Sequence, residues 1–269
     1  MSDMLTTLDR IGTPQRRCGR VGGWATLIYG LLCYAVFGVT ILYAIGFLGG
    51  LPVPKTVNDG AARPLGESLL VNTGLLALFV IQHTIMARPA FKRWWTRFIP
   101  EPAERSTFVL AASACLGLLF WQWRPMPQVI WSLTGPVAWL LTGLSLAGWA
   151  IVLIASATIS HMDLFGVRQA WLRFRNRPYV PVGFRLAGLY RLVRHPLMLG
   201  FLIAFWSAPT MTLGRLFFAF MTTGYVLFGT WIEERDLIAA HGERYLDYKR
   251  RVPGLIPWPR PSVAVSGAR

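Results

Sequence analysis

The 269-residue chain has few acidic residues, little charge overall and little cysteine. It contains 12 Asp and Glu against 27 Lys and Arg, and charged residues make up only 14% of it, whereas 54% of the residues are hydrophobic. A charge content this low, with a mean hydropathy of +0.45, excludes an ordinary soluble domain of this length. Several long stretches that are almost free of charge indicate a polytopic membrane protein instead.

The three cysteines, Cys18, Cys33 and Cys115, are scattered along the chain. Their spacing fits neither a disulfide framework nor a cysteine metal site, and two of them lie inside apolar stretches as small apolar side chains. We therefore expect no metal in this protein.

Six apolar stretches predict five to six membrane-spanning helices. They lie near residues 24–48, 69–87, 107–121, 129–158, 196–213 and 214–232. The last two are close enough in sequence to form a helical hairpin, and a short cytoplasmic helix is expected after it. The predicted fold is all-α, a polytopic helical bundle that forms a single domain over 1–269, with a cytoplasmic N-terminal segment at 1–23.

Basic residues are concentrated in alternate connections between these stretches. Segments 1–23, 88–106, 159–195 and 233–269 contain 4, 5, 7 and 7 Lys or Arg, which is 23 of the 27. This positive-inside pattern predicts that both termini are cytoplasmic, with basic side chains against anionic lipid headgroups. No nucleic-acid partner is expected, because no basic-aromatic binding module is present.

Polar residues are dense directly after the fourth stretch, where His161, Asp163, Arg168 and Gln169 follow one another closely. Such residues can line the mouth of a substrate cavity. An interfacial turn with capping residues explains the same composition equally well.

A second polar group surrounds the hairpin. Proline favours the first position of a helix, so Arg194-His195-Pro196 predicts a helix that begins at Pro196 with an electropositive end, suited to a carboxylate or a phosphate. The same residues also suit a turn that faces lipid headgroups. Glu233 and Glu234 end the last stretch, where carboxylates oppose the helix dipole and need a cationic ligand or the basic tail as a partner.

The C-terminal half resembles the isoprenylcysteine carboxyl methyltransferase and phospholipid methyltransferase group of integral-membrane enzymes. The resemblance is carried by residues 190–200, Glu233, Glu234, Leu237, Gly242, Tyr245, Tyr248 and 252–257. It implies S-adenosylmethionine as cofactor and residues 159–269 as the cofactor-binding half. The residues implied to bind the cofactor are Tyr190, Arg194, His195, Pro196, Gly200, Glu233, Glu234, Tyr245 and Tyr248. Met198 departs from the pattern, since many members have a tyrosine there.

A narrower resemblance extends over nearly the whole chain. Residues 82–89 and 161–169 are similar to those of the bacterial methanethiol S-methyltransferases, although Ser160 and Met162 stand where that branch usually has Asn and Phe. The resemblance implies transfer of a methyl group from S-adenosylmethionine to methanethiol, a small volatile thiol, which gives dimethyl sulfide. Membrane lipids are the other expected partners, and the resemblance implies a bacterial inner membrane as the location.

The acceptor side needs a base, because the thiolate is the nucleophile. We predict His161 as this base, with Asp163 as its orienting or charge-stabilising partner. A helix-terminating histidine beside a solvated aspartate is the alternative. His83 is a second candidate, unless it only forms an interhelical hydrogen bond. The residues predicted to line the substrate site are His83, Phe165, Arg168 and Gln169.

Two other functions are compatible with the sequence. The first is methylation of a lipid or isoprenoid acceptor by the same chemistry. The second is a non-catalytic membrane factor that keeps the fold.

Overall fold

The computed structural model describes residues 20–61, 63–181 and 187–258, so most of the predicted N-terminal segment lies outside the described residues. The elements in the described part, in chain order, are α1 Arg20–Gly49, α2 Leu65–Met86, α3 Pro89–Trp95, α4 Glu101–Gln122, β1 Val129–Ser132, α5 Gly135–Ile159, α6 His161–Leu164, α7 Val167–Phe174, a 3₁₀ turn at Gly188–Arg191, α8 Pro196–Trp206, β2 Thr210–Thr212, α9 Leu213–His241 and α10 Glu243–Arg251. The predicted all-α bundle is confirmed.

Five of these helices are long and apolar enough to cross a membrane: α1, α2, α4, α5 and α9. At about 1.5 Å per residue, even the 22-residue helices α2 and α4 reach roughly 33 Å, the thickness of a hydrocarbon core. Their outer faces carry exposed apolar side chains such as Leu70, Trp139 and Phe220, as a lipid-facing surface requires.

Helix α8 is too short to cross a membrane alone, with 11 residues, but the chain continues beyond it in the same direction. α8 packs along α5, and β2 pairs antiparallel with β1, which directly precedes α5. The extended residues 207–212 therefore bring the chain to the level at which α5 begins. The backbone thus runs along the bundle six times, and α8 and α9 form the predicted hairpin.

Close packing of α8 on α5 depends on two glycines. A Cβ built on Gly148 would lie 2.5 Å from the Ala204 backbone nitrogen, and one on Gly200 would lie 2.7 Å from the Gly148 carbonyl oxygen. Ser145 Oγ adds a hydrogen bond to the Ala204 carbonyl oxygen at 3.0 Å. Gly148 is thus a close-contact residue of α5, whereas Gly143 on the same helix has nothing within 4 Å of its Cβ position.

Some predicted boundaries are wrong. Residues 129–132, counted in the fourth stretch, form strand β1, and α5 begins at Gly135. Pro136 therefore lies in the first turn of α5, where no amide donor is needed, and it does not kink the helix. The fifth stretch was expected to be apolar up to residue 213, but α8 ends at Trp206 because Pro209 opposes a helical conformation before it.

The two ends of the described chain lie at the same end of the bundle. The start of α1 packs on α7, with the rings of Trp24 and Phe174 4.5 Å apart. The end of α9 meets the start of α8 through Glu234 and His195. The polar residues after α5 and around the hairpin, which are separate groups in the sequence, therefore share this end of the bundle.

Candidate functional site

Four charged or imidazole side chains form a cluster where α9 approaches the start of α8: Arg194, His195, Glu233 and Glu234, here called the Glu234 cluster. Glu234 Oε1 accepts from Arg194 Nε at 2.8 Å, and it lies 3.2 Å from His195 Nε2. His195 Nδ1 lies 3.5 Å from Glu233 Oε2. Arg194, His195 and Glu234 are all less than 10% exposed, so these contacts are formed away from bulk water.

Two carboxylates act on His195 from α9. Burial by itself lowers the pKa of His195, but the hydrogen bonds and charges of Glu233 and Glu234 together outweigh it and raise the pKa above the ordinary value. The cluster therefore holds His195 in its protonated form more readily than a solvated histidine.

Arg194 also fastens the C-terminal segment to the hairpin. Its Nη1 donates to the carbonyl oxygens of Val252 and Lys249, and its backbone N–H donates to the Pro253 carbonyl oxygen at 2.8 Å. All three guanidinium nitrogens thus have protein acceptors. Arg194 therefore positions Glu234 and the C-terminal segment around residues 249–253.

Glu234 has a further partner in the tail. Lys249 Nζ, on α10, lies 2.7 Å from Glu234 Oε2. The expectation that the basic tail can balance a carboxylate at the end of α9 is confirmed for Glu234 by this contact.

Three tyrosines enclose the cluster, all buried: Tyr190, Tyr245 and Tyr248. The Tyr248 hydroxyl donates to the Tyr190 carbonyl oxygen at 2.6 Å, and the rings of Tyr245 and Tyr248 meet edge to face at 5.8 Å. Burial raises the pKa of Tyr248 to about 12, so its hydroxyl stays protonated. Because the shared face of Tyr245 and Tyr248 packs inward, these side chains do not lie in the lipid interface as anchors.

Some hydrogen-bonding groups of the Glu234 cluster, next to the start of α8, can still bind a ligand. Pro196 occupies the first turn of the helix, as predicted, and Leu199 N–H donates to the His195 carbonyl oxygen at 3.0 Å. In the described part of the chain, the backbone N–H groups of Leu197 and Met198 have no backbone acceptor. Glu233 has one polar contact there, to His195, so its carboxylate can accept more hydrogen bonds.

Gly200 lies apart from this cluster. Its missing side chain lets α8 approach Val152 and Gly148 on α5. This helix contact explains the glycine at position 200, and no cofactor contact is needed to explain it.

His161, the predicted base, is bonded at both ring nitrogens. Nδ1 lies 2.9 Å from Ser156 Oγ and Nε2 lies 2.8 Å from the Tyr34 hydroxyl. Since Ser156 Oγ also donates to the Leu153 carbonyl oxygen, Nδ1 donates to Ser156 and Nε2 accepts from Tyr34. Burial lowers the pKa of His161, which keeps the ring neutral.

Asp163 is paired with other groups. Its carboxylate accepts from Arg168 Nη1 at 2.9 Å and from the Tyr179 hydroxyl at 3.0 Å. Gln169 Nε2 donates to the Asp163 carbonyl oxygen at 3.1 Å. These bonds tie α6, α7 and residue 179 into one turn, and in the described residues neither ring nitrogen of His161 is bonded to Asp163.

His83 lies deeper in the bundle, among aromatic rings. The ring centroids of Phe108 on α4, Phe79 on α2 and Tyr225 on α9 lie 4.8, 5.3 and 6.3 Å from its own. His83 Nδ1 is buried and has no hydrogen-bond partner within the described segments. An imidazole nitrogen in an apolar surrounding, with no protein partner, can accept a proton or a hydrogen bond from a ligand.

Phe165 and His83 border one apolar cluster. Phe165 stacks on Phe37 with ring centroids 4.0 Å apart, and both pack on the cluster of Met86, Phe108 and Val109. Phe108 also contacts His83. The structure thus brings Phe165 and His83 to two sides of the same cluster, while Arg168 and Gln169 remain at the turn formed by α6 and α7.

Comparison with known proteins places these residues in a family. A methanethiol S-methyltransferase from Mycobacterium tuberculosis is 52% identical over 237 residues, which are 88% of this chain and 97% of that protein. Methanethiol S-methyltransferase 1 of Bradyrhizobium diazoefficiens is 48% identical over 261 residues, 97% of this chain and 91% of that protein. The chain belongs to the methanethiol S-methyltransferase family. The resemblance predicted from residues 82–89 and 161–169 is confirmed.

The methanethiol S-methyltransferase family has more distant relatives. Residues 71–233 match the family described as NnrU protein. Nurim from Sus scrofa is 27% identical over 212 residues, 71% of this chain and 78% of that protein. No solved structure matches the chain.

Four contact residues of this methanethiol S-methyltransferase family member were not predicted from its sequence: Tyr34, Ser156, Tyr225 and Lys249. Tyr34 is 127 residues from His161, and no local pattern connects them. The contact of Ser156 with His161 could have been predicted, because Ser156 precedes His161 by only five residues near the end of a helix. Lys249 follows Tyr248 directly and was counted only as part of the basic tail.

Proposed function

We propose that this protein methylates methanethiol to dimethyl sulfide in the membrane, with S-adenosylmethionine as the methyl donor. The observation that carries the proposal is the family membership, since the curated relatives that cover most of the chain are named methanethiol S-methyltransferase. The proposed reaction also gives S-adenosylhomocysteine and releases one proton. The basic connections support an orientation in the bacterial cytoplasmic membrane with both termini cytoplasmic.

The Glu234 cluster is the proposed cofactor site, because its chemistry matches the donor. When bound, S-adenosylmethionine supplies an electrophilic methyl group on a sulfonium, together with an amino group, a carboxylate and ribose hydroxyls. Glu233 can accept hydrogen bonds from an amino group or hydroxyls, and the N–H groups of Leu197 and Met198 can donate to a carboxylate. Arg194, His195 and Glu234 hold Glu233 and the start of α8 in position. The buried tyrosines and Pro196 form the remaining surface of the proposed cofactor site.

His83 is the proposed proton acceptor for the thiol. Its Nδ1 is without a protein partner, whereas both nitrogens of His161 are bonded. The aromatic surroundings suit a small apolar thiol, and a water-poor site favours a reaction in which opposite charges are neutralised. His161 acts as base only if Tyr34 releases Nε2, so we assign it a positioning role for α6 and Phe165. Asp163, Arg168 and Gln169 hold the turn beside it.

The test is production of dimethyl sulfide by the purified protein in nanodiscs, supplied with S-adenosylmethionine and methanethiol. We expect Glu233→Gln to lower binding of S-adenosylmethionine by about tenfold or more, because a carboxylate acceptor of a charged amino group is worth more than a neutral one. Glu243→Gln, which removes an exposed carboxylate on α10, is the matched control and keeps wild-type binding.

The same assay separates the alternatives. Cofactor binding without dimethyl sulfide would move the acceptor to a lipid or isoprenoid. Absence of S-adenosylmethionine binding by the folded wild type would favour a non-catalytic membrane factor.

A further inference from the structure

A second polar assembly lies at the other end of the bundle. Arg215 and Glu234 are both on α9, 19 residues or roughly 28 Å of helix apart. Three of the four basic residues outside the basic connections lie in segments that meet at this end: Lys55, Arg124 and Arg215. We call this group, with Ser68, Asn72 and Trp123, the Arg215 cap.

Specific hydrogen bonds build the cap from four segments. Asn72 Nδ2 donates to the Arg124 carbonyl oxygen and Asn72 Oδ1 accepts from the Arg124 N–H, both at 2.8 Å. Lys55 Nζ donates to the carbonyl oxygens of Trp121 and Trp123 at 2.7 and 2.8 Å. The N–H of Gly214 donates to the Met126 carbonyl oxygen at 2.9 Å, which places Arg215 beside this segment.

The cap holds buried donors that nothing in the described chain accepts. Arg215 is 7% exposed, and its guanidinium has neither a hydrogen bond nor an ion pair within residues 20–61, 63–181 and 187–258. Arg124 Nε, Trp123 Nε1 and Ser68 Oγ are also buried without a hydrogen-bond partner in that part of the chain. Trp123 and Ser68 are fully buried.

Charge in the cap is also unbalanced. Burial and the charge of Arg124 lower the pKa of Lys55, against a smaller opposite effect from Asp59. The Asp59 carboxylate accepts from the Thr56 N–H at 2.9 Å, and among the described residues it forms no ion pair with Arg124 or Arg215. A buried guanidinium without a counter-charge is strongly unfavourable, so the cap needs negative charge that the described part of the chain does not supply.

The hydrogen-bond donors without a partner in the Arg215 cap indicate which class of ligand can bind there. Arginine and tryptophan nitrogens only donate, so the ligand must be rich in acceptors. Guanidinium groups match the oxygens of phosphate in geometry and charge. Water can satisfy the donors but does not neutralise Arg215.

We propose that the Arg215 cap binds a phosphate-class oxyanion, supplied either by the headgroup of a membrane phospholipid or by inorganic phosphate. Arg215 provides the buried charge, and the half-buried Arg124 and Lys55 form the rim through which the oxyanion enters. This site is separate from the Glu234 cluster and does not depend on the proposed methyl transfer.

The experiment measures the thermal unfolding midpoint of the full-length protein in three settings. They are detergent with inorganic phosphate titrated against chloride of equal ionic strength, nanodiscs of phosphatidylcholine, and nanodiscs containing phosphatidylglycerol. The variants are Arg215→Gln and Arg124→Gln, and Arg63→Gln is the matched control, since it removes an exposed positive charge from the same end. A saturating ligand is expected to raise the wild-type midpoint by about 5 °C.

The outcomes separate the sources. A saturable rise with phosphate, kept in Arg63→Gln and lost in both cap variants, supports a site for a free oxyanion. A rise with phosphatidylglycerol alone, with the same variant pattern, supports a lipid headgroup. No rise with either probe, or equal rises in wild type and both cap variants, overturns the proposal. Arg124→Gln keeps the test decisive if Arg215→Gln does not fold.

Discussion

At the scale of the residue, the two histidines of the acceptor side differ in the hydrogen bonds that they already form. His161 bonds to Ser156 and to Tyr34, which fixes its tautomer and engages its free electron pair. His83 has aromatic neighbours and a buried Nδ1 without a partner in the described chain. The free nitrogen is the one able to take a proton from a thiol without first breaking a bond.

We predict that His83→Gln lowers kcat by about 100-fold or more, the usual contribution of a general base. Raising the pH should restore part of this loss, because thiolate then forms in solution. His161→Gln should lower kcat by only about tenfold, with no such rescue, since it disturbs the position of α6. Headspace measurement of dimethyl sulfide across pH checks both. A larger, pH-rescued loss in His161→Gln would return the role of base to His161.

His195 makes stability depend on pH. Its pKa in the folded protein is raised above the ordinary 6.5, so the stabilising contribution of protonated His195 is complete below that pH and is lost as the pH rises through the folded pKa. Tyr248 stays neutral over this range, because burial raises its pKa to about 12. We expect the unfolding midpoint to fall between about pH 6 and pH 9, with a smaller fall in His195→Gln.

The matched control for this pH dependence is His241→Gln, which changes a histidine at the end of α9 away from Glu233. Because the pKa of His241 is lowered, this ring is neutral in the folded and unfolded protein above about pH 7.5, and in that range the variant should keep the wild-type slope. Equal slopes in wild type and His195→Gln would show that the carboxylates do not stabilise the protonated ring.

The two sequence motifs of the Glu234 cluster could be predicted from the sequence, but the contacts between them could not. Arg194-His195-Pro196 and Glu233-Glu234 are recognisable because helix starts and membrane boundaries impose local rules on residue type. Which carboxylate Arg194 meets, 40 residues away, depends on how α8 and α9 pack. Tyr34 and Arg215 could not be placed for the same reason, since their surroundings come from distant helices.

At the scale of the element, contact between α5 and α8 depends on the missing Cβ of Gly148. An added Cβ would meet backbone atoms of Ala204 and Gly200, which cannot move like a side chain. We predict that Gly148→Ala destabilises the protein by about 1–3 kcal/mol. Gly143→Ala, on the same helix with open space around it, should be neutral or stabilising by up to about 1 kcal/mol. Thermal unfolding in nanodiscs compares them, and equal effects would exclude a close contact of these helices.

Element boundaries were predictable where proline or charge marks them, as at Pro196. The ribbon of β1 and β2 was not, because Val129-Ile130-Trp131 is as apolar as the helix that follows. Hydropathy alone does not distinguish a short strand from the first turn of a membrane helix. The pairing of Val129 with Thr212 is set by the tertiary position of α9.

At the scale of the whole molecule, the number of crossings and the distribution of charge lead to one topology. Six passes along the bundle place the start of α1 and the end of α10 at the same face, and the sequence segments that begin or end at that face include 23 of the 27 basic residues. Positively charged connections are retained in the cytoplasm, so the Glu234 cluster should face the cytoplasm and the Arg215 cap the opposite side.

Single cysteines in a background without Cys18, Cys33 and Cys115 test this topology. Asp59→Cys, in the exposed loop after α1, should react with a membrane-impermeant maleimide in intact cells, whereas Glu243→Cys should react only after permeabilisation. The reverse pattern would invert the orientation. Labelling of both in intact cells would place them on the same side, and then α8 with residues 207–212 would not carry the chain across the membrane.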